Sequence, residues 1–282
     1  MTSDSTPYIP FSQREGFMEI PPQLGIGEVS TDLRRLIYYY ISLEIDRESY
    51  APYESAIFKE GWKRVAMDLH VILFKKSVDG FDHSAYNNQQ SINLFIQRAN
   101  IGELFDLVEL LLRHSACSDE LKHDFSYAFI NERAAYRIVD NEHIVAIGTG
   151  EQAAAFERAI TDAELKNAAT ARNQLIAAGL ALRTSDWAGS IRQSIHAVEA
   201  MAIRLAPGAK ELGPALKILE NNRYIHGGLK SAFRSLYGYS SDEEGLRHAL
   251  VFKDKAQVDE ADALFMLGAC ASFVSYLLAR RV

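Results

Sequence analysis

Apolar residues recur along most of the chain at three- and four-residue intervals, the spacing that gathers them on one face of an α-helix. Leu33, Leu36, Ile37, Tyr40 and Ile41, in register with Glu44, predict a helix over 31–49 with Ser30 or Thr31 as its cap. Trp62, Val65, Ala66, Leu69, Ile72 and Leu73 predict a second over 60–75. Leu104, Phe105, Val108, Leu111 and Leu112 mark a third over 102–114, and Leu121, Phe125, Ala128 and Phe129 a fourth over 118–132. Residues 78–90 are polar, with a glycine and several asparagines, and read as a loop. One stretch departs from the helical period. Tyr136-Arg-Ile-Val and Glu142-His-Ile-Val-Ala-Ile alternate apolar and polar positions around Asp140-Asn141, which predicts a small β-hairpin near 136–147.

Past Gly148-Thr-Gly150 the helical period returns and holds. Thr161, with Glu164 three residues on, predicts the start of a long helix over 161–182. Asp186 caps a helix over 187–205, which Pro207-Gly208 ends. Short helices follow over 212–220 and 226–237, then a loop over 238–245 and a closing helix over 258–280. The reading is an all-α chain of two helical domains. One spans 1–155 and holds the hairpin; the other spans 156–282 as a bundle of four or five helices with short connections.

Charge divides unevenly between these halves. Residues 1–160 hold 15 basic and 24 acidic side chains, and residues 161–282 hold 15 and 13. A chain of net charge -7 is a poor match to broad nucleic-acid coating, which basic charge drives, although the second half can hold a local anion site. The apolar stretch 261–279 contains Asp262, Cys270, Ser272 and Ser275 and reads as a buried amphipathic helix rather than a membrane span. Residues 1–10 carry no apolar signal core. Cys117 and Cys270 stand far apart without CxxC spacing, which excludes a zinc ribbon and fits reduced thiols in a cytoplasmic protein. No Walker loop, GxSxG or GxGxxG occurs, so ATP hydrolysis, serine hydrolysis and dinucleotide chemistry lose ground.

Two stretches carry a family resemblance. One is Ser240-Ser-Asp-Glu-Glu-Gly-Leu-Arg-His-Ala-Leu250 with the long helix after it; the other is Ser190-Ile-Arg-Gln-Ser-Ile-His-Ala-Val-Glu-Ala200. Together they resemble the C-terminal HEPN domain of AbiJ-type abortive-infection proteins. Phe11-Ser-Gln-Arg-Glu-Gly16, the helical middle and Asn131-Glu-Arg-Ala-Ala-Tyr-Arg-Ile-Val139 resemble the helical N-terminal domain fused to it. The resemblance implies a phage-defence role. It also implies a homodimer formed through the HEPN domain, with RNA or a nucleotide bound in a shared cleft and a protein regulator as a further partner. No membrane, metal or cofactor is implied. HEPN ribonucleases carry an Arg, then a polar residue, then a His with about four to six residues between it and the Arg. Arg247 and His248 match the first two positions, whereas Phe252, Lys253 and Asp254 stand where the distal His belongs.

Metal-free RNA cleavage needs a base for the 2′-hydroxyl, an acid for the leaving oxygen and positive charge on the phosphate. Arg247 offers a bidentate phosphate contact and His248 titrates near neutrality, so both are the candidate catalytic residues. Asp242 and Glu244, with Arg192, His196 and Glu199 on the 187–205 helix, are candidate phosphate-binding or supporting residues. Arg192, His196 and Glu199 share one helix face at i, i+4 and i+7. The competing reading makes Arg247 a structural pin paired with Glu243, Glu244 or Glu199, and His248 a capping residue. In that case the domain binds a nucleotide, RNA or protein without catalysis. In the first half, His114, Glu120 and His123 have neither the spacing of a helical His pair nor that of HExxH and do not read as a metal site.

Overall fold

Helices carry most of the described residues, as the apolar spacing predicts, and the fold is all-α. The computed structural model describes residues 9–50, 56–241 and 258–280. The chain divides into two compact units, 1–144 and 145–282, with the division inside a short strand.

The first unit is ordered around α2 (Thr31–Arg47), which follows the short α1 (Phe11–Arg14). Ser30 caps α2 by accepting the Leu33 amide at 3.0 Å. Leu33, Ile37, Ile41 and Ile45 then recur at four-residue intervals and are all buried, forming the stripe that α4 (Ala85–Arg98) and α6 (Asp119–Asn131) cover. Arg34 fastens α2 to α4 by donating to the Ile96 and Ala99 carbonyls at 2.6 and 2.9 Å, closing orphan acceptors at the α4 terminus. α5 (Ile101–Arg113) begins with a capping box between Asn100 and Glu103. β3 (Tyr136–Val139) and β4 (His143–Ala146) form the predicted hairpin. Asp140 and Asn141 both take positive φ at its turn, 59° and 52°, which suits a type I′ turn.

One local expectation needs correction here, and two details go beyond the pattern. Part of 78–90 is not loop: after a 3-10 turn at Val78–Gly80, Ser84 caps α4, and Asn88 is buried because its amide donates to the Asp82 and Ser84 carbonyls. Polar composition concealed a helix whose buried face is Ala85, Asn88, Ile92 and Ile96. The 60–75 helix is α3 (Glu60–Asp68) continued by a π-helix (Leu69–Leu73), which places His70 in the interior with Nε2 2.9 Å from the Ser77 carbonyl. A second small sheet pairs β1 (Ser49–Tyr50) with β2 (Ile57–Phe58), antiparallel, just past α2.

The second unit is a bundle of α7 (Gly150–Leu165), α8 (Ala169–Arg183), α9 (Trp187–Leu205), α10 (Leu212–Asn221), α11 (Gly227–Ser241) and α12 (Glu260–Ala279). The predicted 161–182 helix is two helices. Asn167 takes φ 54° between α7 and α8, so Thr161 caps nothing. The cap belongs to Thr149, which makes a capping box with Gln152. α12 packs against α7, α8 and α9, burying Met266, Leu267, Phe273, Val274, Leu277 and Leu278. Each such side chain contributes about 1.5–3 kcal/mol relative to exposure. α12 is apolar nearly all round rather than amphipathic, and by length and mean hydropathy (1.7) it could cross a membrane, yet over half of that window is buried in the bundle. At Gly179, α8 approaches the chain so closely that a Cβ would lie 2.9 Å from Val145 Cβ.

Candidate functional site

α9 presents the described part of the candidate site. Asp186 caps it through the Gly189 amide at 2.8 Å, fixing which residues face outward. Its inner face is Ile191, Ile195, Ala197, Val198 and Met201, with two buried serines among them. Ser194 Oγ donates to the Ser190 carbonyl at 2.8 Å, while Ser190 Oγ is buried without a partner. The opposite face carries Arg192 and His196, both exposed and one turn apart, and then Glu199, which is half-buried. The predicted sharing of one face is therefore met in the helix. Arg192 and His196 are open to solvent, where a guanidinium and an imidazole can meet an anion.

Glu199 has a specific structural task. Its Oε1 accepts the Leu212 amide at 3.0 Å, satisfying one of the orphan donors at the start of α10. Tyr237 of α11 lies within the electrostatic reach of this corner. Burial first, then the Glu199 and Glu211 carboxylates, push its phenol above the usual tyrosine range. Glu211 and Tyr237 are the residues of this corner that sequence reading missed. Helical spacing gives the face of α9 but not which helix lies beside it.

Arg247, His248, Asp242 and Glu244 lie outside the described residues, as does the second half of the predicted 238–245 loop. Its first residues are helix, since α11 runs to Ser241. α12 resumes the described chain with Asp259 as its cap, whose side chain accepts the Asp262 amide at 3.0 Å. Two further histidines, His226 and His114, take separate local partners. His226 Nδ1 accepts the Gly228 amide at 3.0 Å at the opening of α11. His114 Nδ1 accepts the Ala116 amide at 3.1 Å, so its proton sits on Nε2, 3.3 Å from Asp68 Oδ2. Glu120 pairs with Arg47. Among the described residues no group of three His, Cys, Asp or Glu side chains gathers in a way that could hold a metal ion.

The best-organised polar centre of the first unit is Glu44, 1% exposed. It accepts the Ser118 amide and hydroxyl, each at 2.8 Å, and the Trp62 indole N–H at 3.4 Å, and it pairs with Arg47. It ties α2 to α3 and to the cap of α6. Every donor faces inward to the carboxylate, so this is a structural knot.

Comparison with known proteins assigns the first part of the chain. The family model described as AbiJ N-terminal domain 4 matches residues 10–162, which runs from α1 through the hairpin into α7. No curated protein and no solved structure matches the chain. With more than half its length matched, this protein belongs to the AbiJ N-terminal domain 4 family, and so to the abortive-infection defence proteins.

Proposed function

We propose that this protein is an anti-phage abortive-infection toxin whose second unit is a HEPN-like bundle cleaving RNA without a metal. The observation that carries the reading is the matched AbiJ-type domain over 10–162 followed by a bundle whose described elements are helices, with the Arg247-His248 pair preceding the last long helix in sequence. In the proposed reaction a ribose 2′-oxygen attacks its neighbouring phosphorus and the 5′-oxygen leaves. Arg247 stabilises the charge gathering on the phosphoryl oxygens, and His248 transfers a proton to or from one of the two oxygens. Arg192 supplies further positive charge for the RNA strand and His196 a ring nitrogen for hydrogen bonding, with Asp242 and Glu244 as supporting residues. The first unit senses infection or restrains the second.

A second reading has one observation in its favour: Phe252, Lys253 and Asp254 occupy the positions of the family's distal histidine. In that reading the same cluster binds a nucleotide, RNA or protein without turnover. Induced expression of wild type and of the Arg247→Ala/His248→Ala double variant in a bacterial host separates the two. Growth arrest and fragmented RNA with wild type alone support the nuclease. Intact RNA and unimpaired growth with both, together with RNA left whole by the purified chain, select the binding module.

A further inference from the structure

Within the first unit, the segment 9–21, the start of α2 and the end of α6 bound a cleft of about 210 Å³. Arg133 shapes it. This residue follows the last turn of α6 with φ 53°, which takes the chain out of its helical course. Its carbonyl accepts the Leu24 amide at 3.0 Å and the Gln23 side-chain amide at 2.6 Å, and these two bonds hold the incoming segment at the helix end.

Part of the lining is apolar: Ile9, Pro10, Ile20 and Pro21, of which the two isoleucines are exposed. The rest is polar, and most of it is already engaged. Asp32 pairs with Arg35 at 3.0 Å, and Glu132 accepts the Asn131 side-chain amide at 3.0 Å. Arg133 is the charge left over. Its guanidinium pairs with no carboxylate among the described residues, and its Nε is buried without an acceptor. In the same lining, Asn131 Oδ1 is buried without a donor. Orphaned polar atoms of this kind are costly, and a ligand bringing the complementary groups relieves both. Neither atom is open to water as the side chains stand, so each side chain turns about its terminal bonds to meet the ligand.

The two orphans select the ligand together. A planar guanidinium fits a carboxylate through two parallel N–H bonds, and an amide oxygen calls for an N–H. A phosphate ester would meet the guanidinium but brings nothing for Asn131. Carboxylate and N–H on one carbon, with an apolar group on that carbon to cover Ile9, Pro10, Ile20 and Pro21, describe an N-acylated α-amino acid.

We propose that this cleft binds an N-acylated α-amino acid with an apolar side chain, its carboxylate on Arg133 and its N–H on Asn131. The same chemistry occurs in a free acyl amino acid and at the C-terminus of a peptide. The inference concerns the first unit and does not depend on RNA cleavage. In calorimetric titration of the full chain, N-acetyl-leucine should bind at millimolar concentration. N-acetyl-leucinamide, which lacks the charge, should bind about tenfold more weakly or worse. Arg133→Gln should erase that preference with unchanged circular dichroism, because the Arg133 carbonyl rather than its side chain holds the segment. Asn131→Leu should weaken N-acetyl-leucine but not 4-methylpentanoate, the same acid without the N–H. Tighter binding of acetyl-Gly-Gly-Leu than of N-acetyl-leucine marks a chain terminus as the source, and weaker binding marks the free acyl amino acid. Absence of binding by N-acetyl-leucine, equal binding of acid and amide by wild type, or an acid preference that survives Arg133→Gln overturns the proposal. Tighter binding of phenyl phosphate also overturns it. So does tighter binding of free leucine, since an ammonium would then be meeting Asp32 or Glu132.

Discussion

At the scale of single residues, the most consequential side chain of the first unit is one that a helical wheel cannot interpret. Glu44 occupies a core-facing position of α2, and its partners are Ser118, 74 positions away, and Trp62. Spacing shows that a carboxylate faces inward; it does not show what receives it there. Removing one partner from a buried charged network costs about 3–5 kcal/mol because the remaining groups lose their bonds in a dry site. Glu44→Ala should cost that much in denaturant unfolding of the full chain, and Glu44→Gln less, since the amide oxygen can still accept from Ser118. Equal losses from the two variants would mean that size rather than hydrogen bonding matters here. The two thiols give a second test. Burial pushes Cys117 and Cys270 up from 9.0 to about 12, so the native state favours the neutral thiol. Stability linked to these groups is complete below pH 9 and declines as pH rises from 9 toward 12, where unfolded thiols ionise and native ones do not. Labelling by a thiol reagent at pH 8 should accordingly be slow in the native chain and rapid in denaturant.

At the scale of elements, starts where a serine or aspartate precedes an apolar-periodic run were legible, whereas a polar start and a break inside an alanine-rich run were not. Ser30, Ser118 and Asp186 cap as their residue types predict, because a cap is a local bond between a side chain and an amide two or three residues on. The break at Asn167 was hidden because alanine-rich sequence on both sides keeps the helical period while one residue turns left-handed. The start of α4 was hidden because its inward asparagine is satisfied by carbonyls rather than by apolar packing. Asp259→Ala tests the cap at α12 and should lower stability by about 1 kcal/mol, read as a fall in melting temperature. Gly179→Leu tests close packing inside the second unit. With Val145 Cβ at 2.9 Å from an added Cβ, the larger side chain has to displace the neighbouring chain, at about 1–3 kcal/mol or more.

At the scale of the whole molecule, the all-α class and the helix that carries the candidate basic face were readable from pattern, whereas the use of that face was not. Arg192 and His196 lie where spacing places them, but Glu199 is occupied at the start of α10, and the neighbouring Tyr237 and Glu211 come from elements whose position only packing decides. If the proposed nuclease reading holds, Arg192→Ala should reduce RNA cleavage while leaving melting temperature nearly unchanged, since its side chain is exposed. A loss of stability equal to the loss of cleavage would assign Arg192 a structural task instead.

The burial of Trp62 against Glu44 has a use in observing the protein. The chain has 2 tryptophans, and they are divided between the units: Trp62 is fully enclosed in the first, and Trp187 stands half-buried at the first turn of α9 in the second. Each unit thus contains its own fluorophore. Emission from Trp62 is expected at shorter wavelength, from a site without water, and emission from Trp187 at longer wavelength. In a Trp187→Phe chain the tryptophan emission reports only on the first unit, which holds most of the defence-family match, so binding or melting there can be followed without a dye, whatever the other unit is doing.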